Sequence, residues 1–228
     1  TLKMGTLPMK ADETVVEIDE HYLNELALKR SLLVEDLPYY FMALEESYTA
    51  QWGVVEKVID DLVKHDPIHF SVGKNSTQWT FTNKRLHESY SFTFGEDDTL
   101  PLAPLDWIGR QVQEDLIILN NKGEVVAGQL CFPSGWAIDK KIGKQFIEVH
   151  SPLPAVTKPM IETANKFMAH LPVNKSFARN NWGFRYGAQL DMSSKYSATY
   201  RERLEKAAQG LTRDDIGEKI FMRVEHQT

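Results

Sequence analysis

The stretch from Asp115 to Phe132 constrains this chain more than any other. Leu116-Ile117-Ile118-Leu119 is a short apolar run, and Val125 to Phe132 is a second one. Asn120-Asn121-Lys122-Gly123 lies between them, with Asn and Gly suited to the positive backbone angles of a tight turn. Two β-prone runs joined by such a turn form an antiparallel hairpin. Pro133-Ser134-Gly135 ends the return strand.

Other segments take their place around this hairpin. Ile18 to Leu33 carries Tyr22, Leu23, Leu26, Leu28 and Leu33 near helical spacing. Glu45 to Val63 is a second helix, with Trp52, Val55, Ile59, Leu62 and Val63 in one stripe and Pro67 to stop it. Gln78 to Thr82 and Ser89 to Phe94 alternate aromatic and polar residues, as strands do. Gly95 to Pro104 is acidic and Pro-containing, hence a loop and a subdomain boundary. Helices are expected over Lys140 to Val149, Pro159 to Leu171 and Tyr200 to Gln209. Phe177 to Leu190 reads as a long interrupted strand and Ile220 to Glu225 as a last one. Helices and strands without regular alternation make an α+β fold. The expected division is an N-terminal helical and small-sheet region over residues 1–104 and a core over 105–228.

Composition excludes several classes. The 228 residues carry a formal net charge of -6, which argues against a general nucleic-acid binder. One cysteine, Cys131, rules out an internal disulfide framework. No apolar run approaches the roughly 20 residues of a membrane span. Nor does Thr1 to Lys10 resemble a signal peptide, so the cytoplasm is the expected compartment. Phosphate loops, GxGxxG turns and CxxC pairs are missing, and Ser134 lacks the leading glycine of a nucleophile elbow.

Few residues are left to carry chemistry. His65 and His69 are four apart, but Pro67 between them spoils a shared ligand face. His150 sits at the end of an expected helix, directly before Ser151-Pro152-Leu153-Pro154. Two readings are open for it: a ligand to a heme iron, aimed by the rigid exit, or a helix-terminal histidine favoured by the dipole. Arg179, Asn180, Asn181 and Trp182 cluster, with Arg185 and Tyr186 behind them. On a strand, Arg179 and Asn181 aim at one side, toward a carboxylate ligand, or Arg179 stacks on Trp182 at the surface. Arg223 and Glu225 share a face, as a functional pair or a salt bridge. For Cys131 the choice is between a thiolate ligand and a small buried hydrophobe. Alternation pairs it with Gln129, and Lys122 and Lys140 are each nine positions away, so the structural reading is preferred.

Several of these motifs occur together in one known family. Leu130-Cys131-Phe132-Pro133-Ser134-Gly135-Trp136, then Lys141, Gly143 and Lys144, then Val149-His150-Ser151-Pro152-Leu153-Pro154, resembles the central signature of the heme-dependent oxidative N-demethylases. Met4-Gly5, Val112 to Leu116, Arg179-Asn180-Asn181-Trp182 and Arg223 to Thr228 are similar to further motifs of that family, in the same order. Where the family usually has Arg, this chain has His226, and the resemblance implies a further strand beyond Thr228.

The resemblance implies a PAS-like antiparallel sheet with a helical insert that binds heme b. On that reading the hairpin and the strands at 177–190 and 220–225 belong to one sheet. His150 is the implied iron ligand, with Arg179, Arg223, Trp136 and Trp182 around the cofactor. The implied reaction is oxidative demethylation of a small secondary amine such as dimethylamine by dioxygen, giving a shorter amine and formaldehyde. Glu225 and Tyr186 are the candidate polar contacts for the cationic amine. Electrons come, by the same implication, from partner subunits carrying FMN and a two-iron, two-sulfur cluster, fed by NADPH. A heme-based PAS gas sensor or a non-catalytic heme module is the alternative with the same His150; a heme-free paralogue is the third.

Overall fold

The structure is a computed structural model, and it describes residues 5–145, 148, 158–172, 175–193, 195 and 209–228. In chain order these form β1 (Leu7–Pro8), α1 (Tyr22–Glu35), α2 (Leu37–Tyr40), β2 (Phe41–Ala43), α3 (Tyr48–His65), β3 (Phe70–Asn75), β4 (Gln78–Asn83) and β5 (Glu88–Thr93). Then come α4 (Pro104–Gly109), β6 (Leu116–Leu119), β7 (Val125–Gln129), α5 (Lys158–Ala169), β8 (Phe177–Tyr186), α6 (Ile216–Lys219) and β9 (Ile220–Gln227). The expected α+β class holds, with antiparallel ladders throughout.

The chain divides into two compact units. One takes in Thr1–Glu13, Phe132–Trp136 and Pro172–Thr228; the other takes in Thr14–Cys131 and Ala137–Leu171. The position expected to separate two regions, 104/105, falls at the start of α4 inside the second unit. Trp107 of α4 explains why. It is buried edge-on against Phe81, Tyr90 and Phe92, with ring centroids 5.9, 5.3 and 5.2 Å away. Together with Trp52, Val55, Ile59 and Leu62 of α3, these rings are the unit's apolar core.

A polar network ties α1 to that core. Tyr22 donates its hydroxyl proton to the Gln111 carbonyl at 2.8 Å, and Asn83 Nδ2 donates to Tyr22 Oη and to Gln111 Oε1. Arg30 forks onto both Glu88 oxygens at 2.6 and 3.0 Å. Tyr22, Asn83, Gln111, Arg30 and Glu88 thereby find partners in one another, which offsets the cost of burying them.

Two expectations are corrected. The hairpin turn draws a positive φ from Gly123 alone, at 75°; Asn120 acts instead through its side chain, whose Oδ1 accepts from the Lys122 and Glu124 amides at 3.0 Å each. The helix expected from Lys140 is not formed over its first residues. Ile138–Lys140 is a single 3-10 turn, Gly143 adopts φ 74°, and Gln145 bridges to Glu124. His150 and most of the expected Tyr200 to Gln209 helix lie outside the described residues.

The sheets also differ from the single one that the resemblance implies. The described strands lie in three three-stranded sheets, ordered β1-β8-β9, β2-β7-β6 and β3-β4-β5. The reason is local to β7. All five of its residues are buried, and its two edges are filled by β6 and by β2, with Phe41 opposite Gln129. β9 pairs with β8 over eight residues instead.

Candidate functional site

Eight of the ten residues of β8 pair with the eight of β9, from Arg179↔Gln227 to Tyr186↔Ile220, and β1 adds Leu7↔Ala178 on the other side. Strand alternation separates two faces. Trp182 lies opposite Val224 and Phe184 opposite Met222, so these four share one face. They are exposed to 70, 55, 64 and 62%, respectively. Asn180 and His226 pair at one end of this face and Tyr186 and Ile220 at the other. Trp182 and Phe184 meet edge to face, 6.1 Å between centroids.

Arg179, Arg223 and Glu225 occupy the opposite face. Arg179 Nε donates to its cross-strand neighbour Gln227 Oε1 at 2.6 Å. The Arg223 guanidinium is committed to three partners: it pairs with Glu225 Oε1 at 3.1 Å and donates to the Leu190 carbonyl at 3.1 Å and to the Phe132 carbonyl. Ser134 Oγ donates to the same Glu225 oxygen. Gly135, at φ 83°, donates its amide to the Met192 carbonyl at 2.8 Å. The Phe132–Trp136 segment is therefore fastened to β9 and to the residues after β8. A glycine is needed at 135 because an L side chain strains at that φ.

Of the residues singled out in the sequence, the structure brings Ser134, Arg223 and Glu225 together. It places Trp182 on the other side of the sheet from Arg179 and Arg223, so the three do not line one surface. Trp136 is half-buried, and Tyr186 ends β8 on the Trp182 face. Cys131 is fully buried, and its amide donates to Asp115 Oδ1 at 2.7 Å. His170 is exposed at the end of α5, its Nδ1 2.7 Å from the Lys166 carbonyl. His65 and His69 do not converge: His65 faces Thr14 and Ile18, whereas His69 Nδ1 meets Asp66 at 2.8 Å. Among the described residues no group of three His, Cys, Asp or Glu could hold a metal ion. None of their helices is long and apolar enough to cross a membrane.

Four apolar side chains on one open sheet face are too many to be incidental exposure. Covering Trp182 and Phe184 alone removes on the order of 300 Å² of apolar surface from water, which favours binding by several kcal/mol. The face suits a flat, largely apolar ligand. Sequence reasoning had Trp182 but missed Phe184, Met222 and Val224, although their even spacing along two facing strands is visible in the chain.

The family model described as "Haem-dependent oxidative N-demethylase, alpha subunit-like" matches residues 6–228. This chain belongs to that family. The heme-dependent oxidative N-demethylase description denotes an oxidoreductase, and "alpha subunit" implies further subunits. The Phe132–Trp136 loop held by Arg223 and Glu225, and β8 with its aromatic face, all fall inside the matched range.

Proposed function

We propose that this chain is the heme-binding subunit of an oxidative N-demethylase that converts a small secondary amine such as dimethylamine to the shorter amine and formaldehyde. Family membership supports the reaction class, and the observation that carries the cofactor reading is the open face of Trp182, Phe184, Met222 and Val224. A porphyrin is flat and apolar over most of its area, so the residues present fit it. His150 would hold the iron, and Trp182 would pack on the ring. When bound, the heme would supply the activation of dioxygen, with His150 as the residue that holds it. The reading does not depend on a single PAS sheet.

The chain's own side chains divide the remaining work. Dimethylamine is a cation at neutral pH, and aromatic faces attract cations. Trp182 and the Tyr186 hydroxyl lie on the same sheet face and would orient the amine. Glu225 lies on the other face with its carboxylate held by Arg223 and Ser134; we assign it to positioning the Phe132–Trp136 loop. Arg179 and Arg223 are cations on that second face, and Arg179 is the one with donors to spare for a propionate at the sheet edge.

Dimethylamine, dioxygen and two reducing equivalents balance to methylamine, formaldehyde and water. No cysteine besides Cys131 is present to hold an iron-sulfur cluster. We take the reducing equivalents to come from partner subunits carrying FMN and a two-iron, two-sulfur cluster fed by NADPH, as the family resemblance implies. The test is aerobic incubation of the heme-loaded chain with dimethylamine and a reductant. Formaldehyde in step with amine consumed supports the proposal. Heme binding without formaldehyde under any reductant would leave a gas sensor or a heme carrier.

A further inference from the structure

We infer that the second unit carries a binding site for a small alkylammonium cation, in the pocket between α3 and the end of β5. The cavity holds about 380 Å³ and is lined by Tyr48, Trp52, Gly53, Glu56, Phe94 and Asp97, among others. Its walls are aromatic. Trp52 and Phe94 meet edge to face with centroids 5.1 Å apart, and Phe94 is stacked in turn on Trp79 at 4.5 Å. Tyr48 adds a ring at the rim, exposed to solvent. Its charge is negative. Trp52 Nε1 donates to Asp97 Oδ1 at 2.6 Å, which fixes that carboxylate beside the rings. Glu56 is the second carboxylate. Aromatic rings lined up beside carboxylates are the chemistry that binds organic ammonium ions.

Two further observations support a ligand here. Gly53 stands in the interior of an 18-residue helix, where glycine costs roughly 1 kcal/mol against alanine. Packing does not demand it, because a Cβ at Gly53 would meet nothing within 4 Å. It lines the pocket as an exposed residue, so no side chain from this position narrows the opening. Next to the pocket the protein already holds one ammonium in the same manner: Lys74 Nζ sits 4.1 Å from the Trp79 ring centroid, 2.8 Å from Asp60 and 3.6 Å from Glu56. Glu56 and Asp60 pair with that lysine, and Asp97 adds a carboxylate at the pocket, so three acidic side chains stand against one lysine and the charge here is net negative. The α3 dipole opposes a cation at this end, but it amounts to about half a charge.

The experiment titrates the full chain with tetramethylammonium chloride, with sodium chloride as the ionic-strength control, and follows binding by ligand-observed NMR and calorimetry. The same titration uses tert-butanol, a neutral molecule of nearly the same shape. The expected result is saturable binding of tetramethylammonium, none of tert-butanol, and at least tenfold weaker binding in Gly53→Leu and in Asp97→Asn. Gly53→Leu places a bulky side chain in the pocket lining and favours the helix, and Asp97→Asn keeps an acceptor for Trp52, so both variants are expected to fold. Circular dichroism checks this. Equal binding of both probes, binding unchanged in both variants, or no binding of tetramethylammonium would each overturn the site. The pocket shares no residue with those proposed to hold the heme, so its failure leaves the heme reading untouched.

Discussion

Arg223 and Glu225 stand two residues apart on β9, and both reach the same short loop: Arg223 through the Phe132 carbonyl, Glu225 through the Ser134 hydroxyl. They also pair with each other at 3.1 Å. The loop they hold is the most distinctive stretch of the chain. A lysine at 223 keeps the charge but loses the planar fork that serves several acceptors at once. Arg223→Lys is therefore expected to speed amide hydrogen exchange in 132–136 and 190–193 by about tenfold or more, with helix content unchanged. Unaltered exchange there would show that the loop is held by something else.

Trp182 and Phe184 are mostly exposed, so the fold gains little from them. Trp182→Ala and Phe184→Ala should each shift the melting temperature by no more than about 2 °C, within the range of ordinary surface substitutions. Heme retention in the double variant should fall at least tenfold, as judged by the Soret absorbance per protein after gel filtration. Loss of folding, or full retention of heme, would each remove this face from the cofactor site.

Acid should unfold the second unit through Glu88. Burial works to raise the Glu88 pKa, but the Arg30 fork, Gln111 and Tyr90 outweigh it and hold the carboxyl below its ordinary range. A carboxylate depressed in the folded state stabilises fully above its unfolded pKa, near 4.5, and that stability is lost as pH falls through the lower folded value. Glu114 works in the opposite sense: burial raises it, so its charge costs stability at neutral pH. Glu88→Gln is expected to lower stability by about 2 kcal/mol at pH 7. It should also flatten the acid limb of a stability-against-pH curve below about pH 4.5. An unchanged limb would show that other carboxylates dominate.

Gly109 closes α4 directly over Gln129. A Cβ there would lie 2.2 Å from Gln129 Oε1. Gln129 is fully buried, and its Nε2 donates to the Asp106 carboxylate at 2.8 Å and carbonyl at 3.0 Å, so it cannot swing away without breaking both bonds. Gly109→Ala should cost about 2 kcal/mol in a denaturant titration, a typical overpacking penalty. A neutral result would mean that Gln129 relaxes freely.

Strong periods in the sequence correspond to real elements. The stripe Trp52, Val55, Ile59, Leu62 became α3, the alternations at 78–82 and 89–94 became β4 and β5, and the Asn-Gly turn joined β6 to β7. Three kinds of element were not legible. β1 and β2 are two and three residues long, too short for a period. α4 is buried on every side, so it has no polar face to mark it. Strand partners are set by distant segments: that Phe41 would fill the edge of β7 is written nowhere near either residue. The same holds at the site. Alternation alone separates Trp182 from Arg179, whereas the Ser134 to Glu225 contact joins residues 91 apart.

The proposed function rests on His150 as the ligand of a heme. The direct measurement is the absorption spectrum of the chain purified with heme supplied, beside that of His150→Ala. A Soret band is expected in the parent chain, with its loss or marked shift in the variant, restored in part when imidazole is added, and with Cys131→Ser unchanged. An unaltered Soret band in His150→Ala would contradict it and move the iron to another ligand.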